Sequence, residues 1–304
     1  LVDTYHHAGH GMIKGIQRNG VGWPASPIYF HGSTPDWWYA DGLLTAVERV
    51  KFGITTGQTI IGATPARADD PVFAERSAQA VAEVGTRALI AVGPPDPVSS
   101  HLGKTWSGTF FEGCKAVQRP FTYEQTIEVS KEVFRRLKGA ADGRVQPMLT
   151  VPSLCGTNPE YANKEHYHRY TEDEIRIMRD KALEARQIAD EFGVLIHTHG
   201  NKGVFEWAEA SYGAGAVQQI LGPDVWFAHM NGLTDHDIRV LRQNGTGVSA
   251  VPFGAPNTRF GTCPLVKLIQ NGVKVAIATD GAAPFHHTDL FIDLHRAMFL
   301  QWFE

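Results

Sequence analysis

The sequence predicts a (β/α)8 barrel, and three observations predict it. Eight short apolar runs rich in β-branched residues recur at residues 1–7, 53–61, 86–92, 145–151, 193–199, 224–229, 245–250 and 272–279. Helical patterns fall between most of them, and alternation of this kind is the signature of parallel βαβ units. The length, 304 residues, fits one barrel of about 250 residues with long loops. The chain is read as one barrel domain over residues 1–304.

The eight runs show little apolar–polar alternation, as strands buried on both faces require. Residues 123–138 carry Ile127, Val129, Val133, Phe134 and Leu137 near a helical period. Thr171 and Glu174 form a capping box that opens a long amphipathic helix over 171–192. Thr234 caps another over 235–243, and 263–271 reads as a third, ended by Gly272. The connections 9–41, 93–121 and 152–170 are read as long loops, which in a compact domain are often functional. The runner-up is an open doubly wound sheet. Its first turn would be Gly-rich, and Ala8-Gly9-His10-Gly11 is not the dinucleotide fingerprint.

Composition narrows the function classes. An apolar fraction of 43% with 20% charged residues supports a sizeable core and excludes a disordered or fibrous chain. The net charge of −4 and the absence of a basic stripe argue against nucleic-acid and membrane-surface partners. A small-molecule substrate is expected. Cys114, Cys155 and Cys263 lie far apart, which fits a reducing, cytoplasmic setting rather than a disulfide scaffold.

The chemistry gathers at the strand ends. Tyr5 and His7 close the first strand, His197 and His199 the fifth, His229 the sixth and Asp280 the eighth. Residues two apart on a strand point the same way, and catalysis in this fold sits at the C-terminal strand ends. Several imidazoles and one carboxylate there make a nitrogen/oxygen metal site suited to zinc or another borderline divalent ion. Such an ion lowers the pKa of its water. Asp280 would accept that water's proton, and His229 would hydrogen-bond the attacked group. His197 is read as a spare ligand or a substrate contact. Lys202 is read as a stabiliser of an anionic intermediate or of a substrate carboxylate. His286 and His287 are candidates for the pocket mouth. Trp37, Trp38 and Tyr39, with Trp106, Phe110 and Phe111, are candidates for an aromatic lid.

Four segments then carry a resemblance: Leu1-Val-Asp-Thr-Tyr-His-His, Leu195-Ile-His-Thr-His-Gly, Phe227-Ala-His-Met-Asn-Gly-Leu-Thr-Asp and Ala276-Ile-Ala-Thr-Asp-Gly. Together they resemble the amidohydrolase superfamily, and within it the branch of cytosine and guanine deaminases and triazine hydrolases. Gly53-Ile-Thr-Thr-Gly resembles that branch's second strand, and Pro252 to Asn257 with Gly261 and Pro264 its seventh-strand loop. The resemblance runs over nearly the whole chain. It implies one divalent metal ion, zinc first, with iron, cobalt and manganese also accepted by such ligands. His7, His199 and Asp280 match the family's ligands, and His229 matches the histidine that polarises substrate or orients water. No lysine stands in the fourth strand, so a carboxylated-lysine bridge is not expected. A homo-oligomer is expected on the same ground. Members of the branch wrap a small β-sandwich, built from both chain ends, around the barrel. Leu1 falls within strand one and Glu304 in the last helix, so the expectation is the barrel without those arms.

Two positions depart from the family pattern. The strand-one motif His-x-His reads Tyr5-His6-His7 here, which makes Tyr5 a candidate ligand in a histidine's place. The proton-shuttling glutamate three residues after the strand-five histidine is Lys202. Glu206 and Glu209 are its nearest substitutes. These departures weigh against heteroaromatic deamination and leave metal-assisted hydrolysis of an amide, carbamate, urea or N-heterocycle. A rival reading is a non-catalytic relative whose metal site Tyr5 and Lys202 have degraded. A metal-free barrel acting on phosphorylated substrates ranks last, because Gly254 and Gly281 form no clustered phosphate loop.

Overall fold

The computed structural model describes residues 1–14, 33–61, 67–94, 105–112, 115–161, 170–253, 261–282 and 287–302. By its internal contacts the chain divides into two compact units, Leu1–Thr150 with Thr279–Leu290, and Val151–Ala278 with Phe291–Glu304.

In the first unit, strands β1 (Val2–Asp3), β2 (Thr56–Ile60), β3 (Arg87–Val92) and β6 (Val145–Thr150) run parallel in that order. A further bridge, His7 to Ile60, carries the β1–β2 pairing past the end of β1. Helix α1 (Pro35–Lys51) starts where residue chemistry favours it: Thr34 accepts from the Trp37 amide, and Pro35 occupies the first turn. The loop expected over 9–41 therefore ends early, because α1 begins inside it. Helix α2 (Val72–Val84) packs closely on α1, and a Cβ at Gly42 would stand 2.9 Å from that of Ala80. The connection expected over 93–121 is also corrected. Strands β4 (Thr105–Glu112) and β5 (Lys115–Thr122) pair antiparallel within it. Helix α3 (Tyr123–Leu137) follows, capped by Thr122 and Gln125.

In the second unit, β7 (Ile196–Asn201), β8 (Val225–Asn231), β9 (Gly247–Ala250) and β10 (Val275–Ile277) run parallel in order. Helix α4 (Glu172–Phe192) opens on the capping box of Thr171 and Glu174. After it come α5 (Val204–Tyr212), α6 (Ala214–Ile220), α7 (Asp235–Asn244), capped by Thr234, α8 (Leu265–Gln270) and α9 (Leu290–Trp302). The eight parallel strands follow the order β1-β2-β3-β6-β7-β8-β9-β10 with helices between, the topology of a (β/α)8 barrel. All eight predicted strands are present, and among the described residues there is no flanking sandwich. No helix among the described residues is long and apolar enough to cross a membrane.

Candidate metal centre

In the first unit the residues after β1 meet the segment 279–281. The Tyr5 hydroxyl lies 2.6 Å from His7 Nε2 and also hydrogen-bonds the Asp280 carboxylate. His7 Nε2 stands 3.5 Å from Asp280 Oδ1. A phenol has one proton to give. When it goes to Asp280, the phenol oxygen accepts from His7 Nε2–H. Burial raises the Tyr5 phenol well above its usual range, and the Asp280 charge adds to the effect. The Asp280 carboxyl is pushed up to about 7 by burial, against the pull of hydrogen bonds from the Gly281 amide and Tyr5. Its backbone is left-handed, at φ 58°, and its amide donates to the Tyr5 carbonyl at 3.0 Å.

A buried ion pair fixes that segment. Asp3 accepts from the Thr279 amide at 3.1 Å and from its hydroxyl at 2.8 Å, and pairs with Arg49 Nη2 at 3.0 Å. With its proton given to Asp3, the Thr279 hydroxyl accepts from His6 Nδ1 at 3.3 Å. Arg49 also donates to the Thr59 hydroxyl and the Gln58 carbonyl. A Cβ at Gly57 would fall on its guanidinium. Gly57→Ala is accordingly expected to cost about 1–3 kcal/mol by overpacking, read as a lowered urea midpoint; an unchanged midpoint would mean that the guanidinium has room to shift. His10 stacks on His7 with centroids 5.0 Å apart, and a side chain at Gly281 would collide with the His10 ring. Asp41 of α1 holds the turn after β1 by accepting from the Gly9 amide (2.7 Å) and the Met12 amide (2.9 Å).

In the second unit, the ends of β7 and β8 bring three histidines together. His197 and His199 stand edge to face at 5.0 Å, and His199 stacks on His229 at 5.5 Å. A carbonyl only accepts, so the contact of 3.2 Å between His199 Nδ1 and the Pro152 oxygen fixes the proton on Nδ1. The lone pair of the neutral ring is then on Nε2, as a metal-ligating histidine needs. Burial lowers His199 to about 3 and His229 to about 4, and takes His197 well below its usual range, so all three are neutral at pH 7. His229 and Met230 are both left-handed, at φ 68° and 51°.

The other expected residues separate clearly. Lys202 Nζ sits 4.8 Å over the Tyr161 ring. Glu206 and Glu209 do not replace the missing glutamate: the Thr234 hydroxyl donates to Glu206 at 3.2 Å, and Glu209 pairs with His236 at 2.7 Å. Trp38 is a core residue. Its indole donates to the Ser33 hydroxyl at 2.8 Å, and its ring packs against Phe73. Tyr39 bonds Glu83 on α2. Two of the lid aromatics therefore serve the α1–α2 contact. His286 and the side chains of Trp106, Phe110 and Phe111 lie outside the described residues. His287 accepts from the Asp289 amide at 3.3 Å.

Among the described residues no three His, Cys, Asp or Glu side chains stand grouped as a ready metal site. The donor types nevertheless fit a divalent ion: neutral imidazoles, one with its Nε2 oriented by a carbonyl, and a buried carboxylate. Within the first unit the Tyr5 hydroxyl bridges two of these donors, His7 and Asp280.

Comparison with known proteins follows the same lines. A family model described as "Amidohydrolase family" matches residues 1–302. The chain is similar to a 5'-deoxyadenosine deaminase of Methanosarcina mazei, 26% identical over 317 residues, covering 99% of this chain and 60% of that protein. Among solved structures, a zinc-bound adenosine deaminase from Xanthomonas campestris matches with a TM-score of 0.70 at 18% identity, covering 99% of this chain and 60% of that one. A guanine deaminase from C. acetobutylicum with bound guanine gives 0.68 at 14% identity, covering 98% and 64%. These structural likenesses bear out the barrel. The chain spans about 60% of the length of the deaminase it matches.

Proposed function

Because the chain belongs to the amidohydrolase family, we propose that it is a metal-dependent hydrolase that cleaves a carbon–nitrogen bond of a small molecule. The observation that carries this reading is His199, neutral, stacked on His229 and pinned through Nδ1 to the Pro152 carbonyl. In this reading His7, His199 and Asp280 hold one divalent ion, with Tyr5 and His197 as further donors. Zinc is the first choice, and iron, cobalt or manganese are alternatives. When bound, the ion supplies a water acidic enough to ionise near neutral pH.

The chain's own residues do the rest. Asp280 accepts the proton of the attacking water at a carboxylate oxygen, as a positioned general base beside the reacting water. Neutral His229 donates an N–H to the oxygen or ring nitrogen on which negative charge develops. For a substrate that carries a carboxylate, Lys202 attracts that group; neutral aminated heterocycles offer it none. The named relatives favour aminated N-heterocycles as the first substrates to test.

Metal analysis of the native protein should return about one divalent ion per chain. A screen of 5'-deoxyadenosine, amides, carbamates and other N-heterocycles should then show turnover that a chelator removes. A second reading, a non-catalytic relative with a degraded site, is favoured by the Tyr5 hydroxyl lying between His7 and Asp280. Folded protein that takes up no ion when supplied with zinc, iron, cobalt or manganese would select it. Lys202→Glu is expected to raise activity on aminated heterocycles or leave it unchanged. Complete loss with the metal retained would instead give Lys202 a positive role.

A further inference from the structure

The turn after β7 holds the Lys202 ammonium in place. Lys202 follows the last residue of β7, three positions after His199. It therefore lies at the C-terminal strand ends, where this fold places its chemistry. The backbone is fixed on both sides of it. Asn201 belongs to β7 and pairs in register with Asn231 of β8. The Gly203 amide donates to the Asp237 carboxylate at 2.8 Å, and its carbonyl accepts from Asn158 Nδ2 at 3.1 Å. Gly203 is left-handed, at φ 70°, and a Cβ there would stand 2.7 Å from Asn158 Nδ2 and 2.8 Å from the Tyr161 ring. The loop 152–161 thus docks directly on the turn. The same loop reaches His199, whose Nδ1 donates to the Pro152 carbonyl.

The Lys202 side chain is half-buried, and its Nζ rests over the face of Tyr161. The ring attracts the charge but offers no lone pair to the three N–H donors. The carboxylates of the adjoining elements are engaged elsewhere. Glu206 accepts from the Thr234 hydroxyl, Glu209 pairs with His236, and Asp237 takes the amides of Gly203, Phe205 and Thr234. Among the described residues Lys202 forms no ion pair. Withdrawing an ammonium partly from water is unfavourable, and an anion beside it offsets that cost. A cation mounted in this way is a preformed seat for an anionic group. Three residues of extended chain span at most about 11 Å. A small molecule whose scissile group lies at His199 therefore brings its far end to Lys202.

We propose that Lys202, seated on Tyr161, is the specificity-determining residue of this site and selects carbon–nitrogen substrates that carry a carboxylate on a short chain, the class of ureido and N-acyl amino acids. The inference rests on the hydrolase reading above and narrows its substrate class; neutral N-heterocycles become the poorer substrates. The test uses pairs that differ only in charge: ω-ureido acids of graded chain length, each beside its carboxamide, offered to the metal-replete chain. At least one acid should be turned over, with its carboxamide about 10–100-fold poorer in kcat/KM, the value of a bond to a charged group. Lys202→Met should bring that ratio close to one, mostly through KM for the acid, and Lys202→Arg, which keeps the charge, should retain the preference. Calorimetric titration of the same acids reads the seat without turnover, and Lys202→Met should weaken their binding about 10–100-fold. Should Lys202→Met not fold, Lys202→Gln serves both comparisons. Turnover of carboxamides or aminated heterocycles with a ratio that the substitution leaves unchanged overturns the proposal and keeps the hydrolase reading. If no probe is turned over, the hydrolase reading falls and the titration decides: binding that depends on Lys202 supports the anion seat, and binding that is absent or indifferent to the substitution overturns it.

Discussion

Asp280→Asn is expected to lower turnover by roughly 10²–10⁴-fold, the range of a lost general base, while the chain stays folded. Asparagine keeps an oxygen for the Gly281 amide, which now bonds Oδ1 at 2.6 Å, and has nearly the same volume. What it loses is the ability to take a proton. The measurement is kcat on the best substrate of the screen, with bound metal quantified in the same preparation. Turnover at the native level with metal retained would remove Asp280 from the proton path. Turnover lost together with the metal would give it a holding role alone.

The second large effect is on stability. Arg49→Met should destabilise the fold by about 3–5 kcal/mol, because removing one partner of a buried pair leaves the other charge uncompensated. Asp3 is fully buried and Arg49 nearly so. Chemical denaturation read by tryptophan fluorescence measures the loss. Arg49→Met together with Asp3→Asn should recover part of it, since neither charge is then stranded. A single-variant loss under about 1 kcal/mol, the value of a surface pair, would mean that water reaches the site. The lost activity should exceed what unfolding explains, because Asp3 holds Thr279, whose neighbour is Asp280.

The parts of this protein that were legible in the sequence are those written in short stretches of chain. The eight strands announce themselves as apolar runs. Thr171 with Glu174 and Thr234 mark helix starts by local hydrogen-bonding chemistry. Tyr5, His7, His197, His199, His229 and Asp280 could be placed at strand ends because each directly closes such a run. Helix α1 had its start signal at Thr34 and Pro35, but the polar, Gly-rich stretch before it obscured the boundary. The antiparallel pair β4–β5 was hidden because no Asn-Gly or Asp-Gly signal stands between its strands in the sequence. The Asp3–Arg49 pair joins residues 46 positions apart, and no periodicity reports a contact of that kind. The same holds for Asp41 under the Gly9 turn, 32 positions along the chain. Glu206 and Glu209 lay at plausible distances along the chain, yet α7 claims both through Thr234 and His236.

The left-handed backbone at His229, Met230 and Asp280 sets stability against chemistry in this barrel. A non-glycine residue held there costs of order 1–3 kcal/mol, and glycine would relieve it. At Asp280 that relief would delete the carboxylate, and at His229 the imidazole. Selection for a tougher fold alone would therefore erode these strand ends first. Met230 carries the same strain with no polar group in the balance, but it is fully buried, and the core packing that glycine would delete outweighs the strain it would relieve.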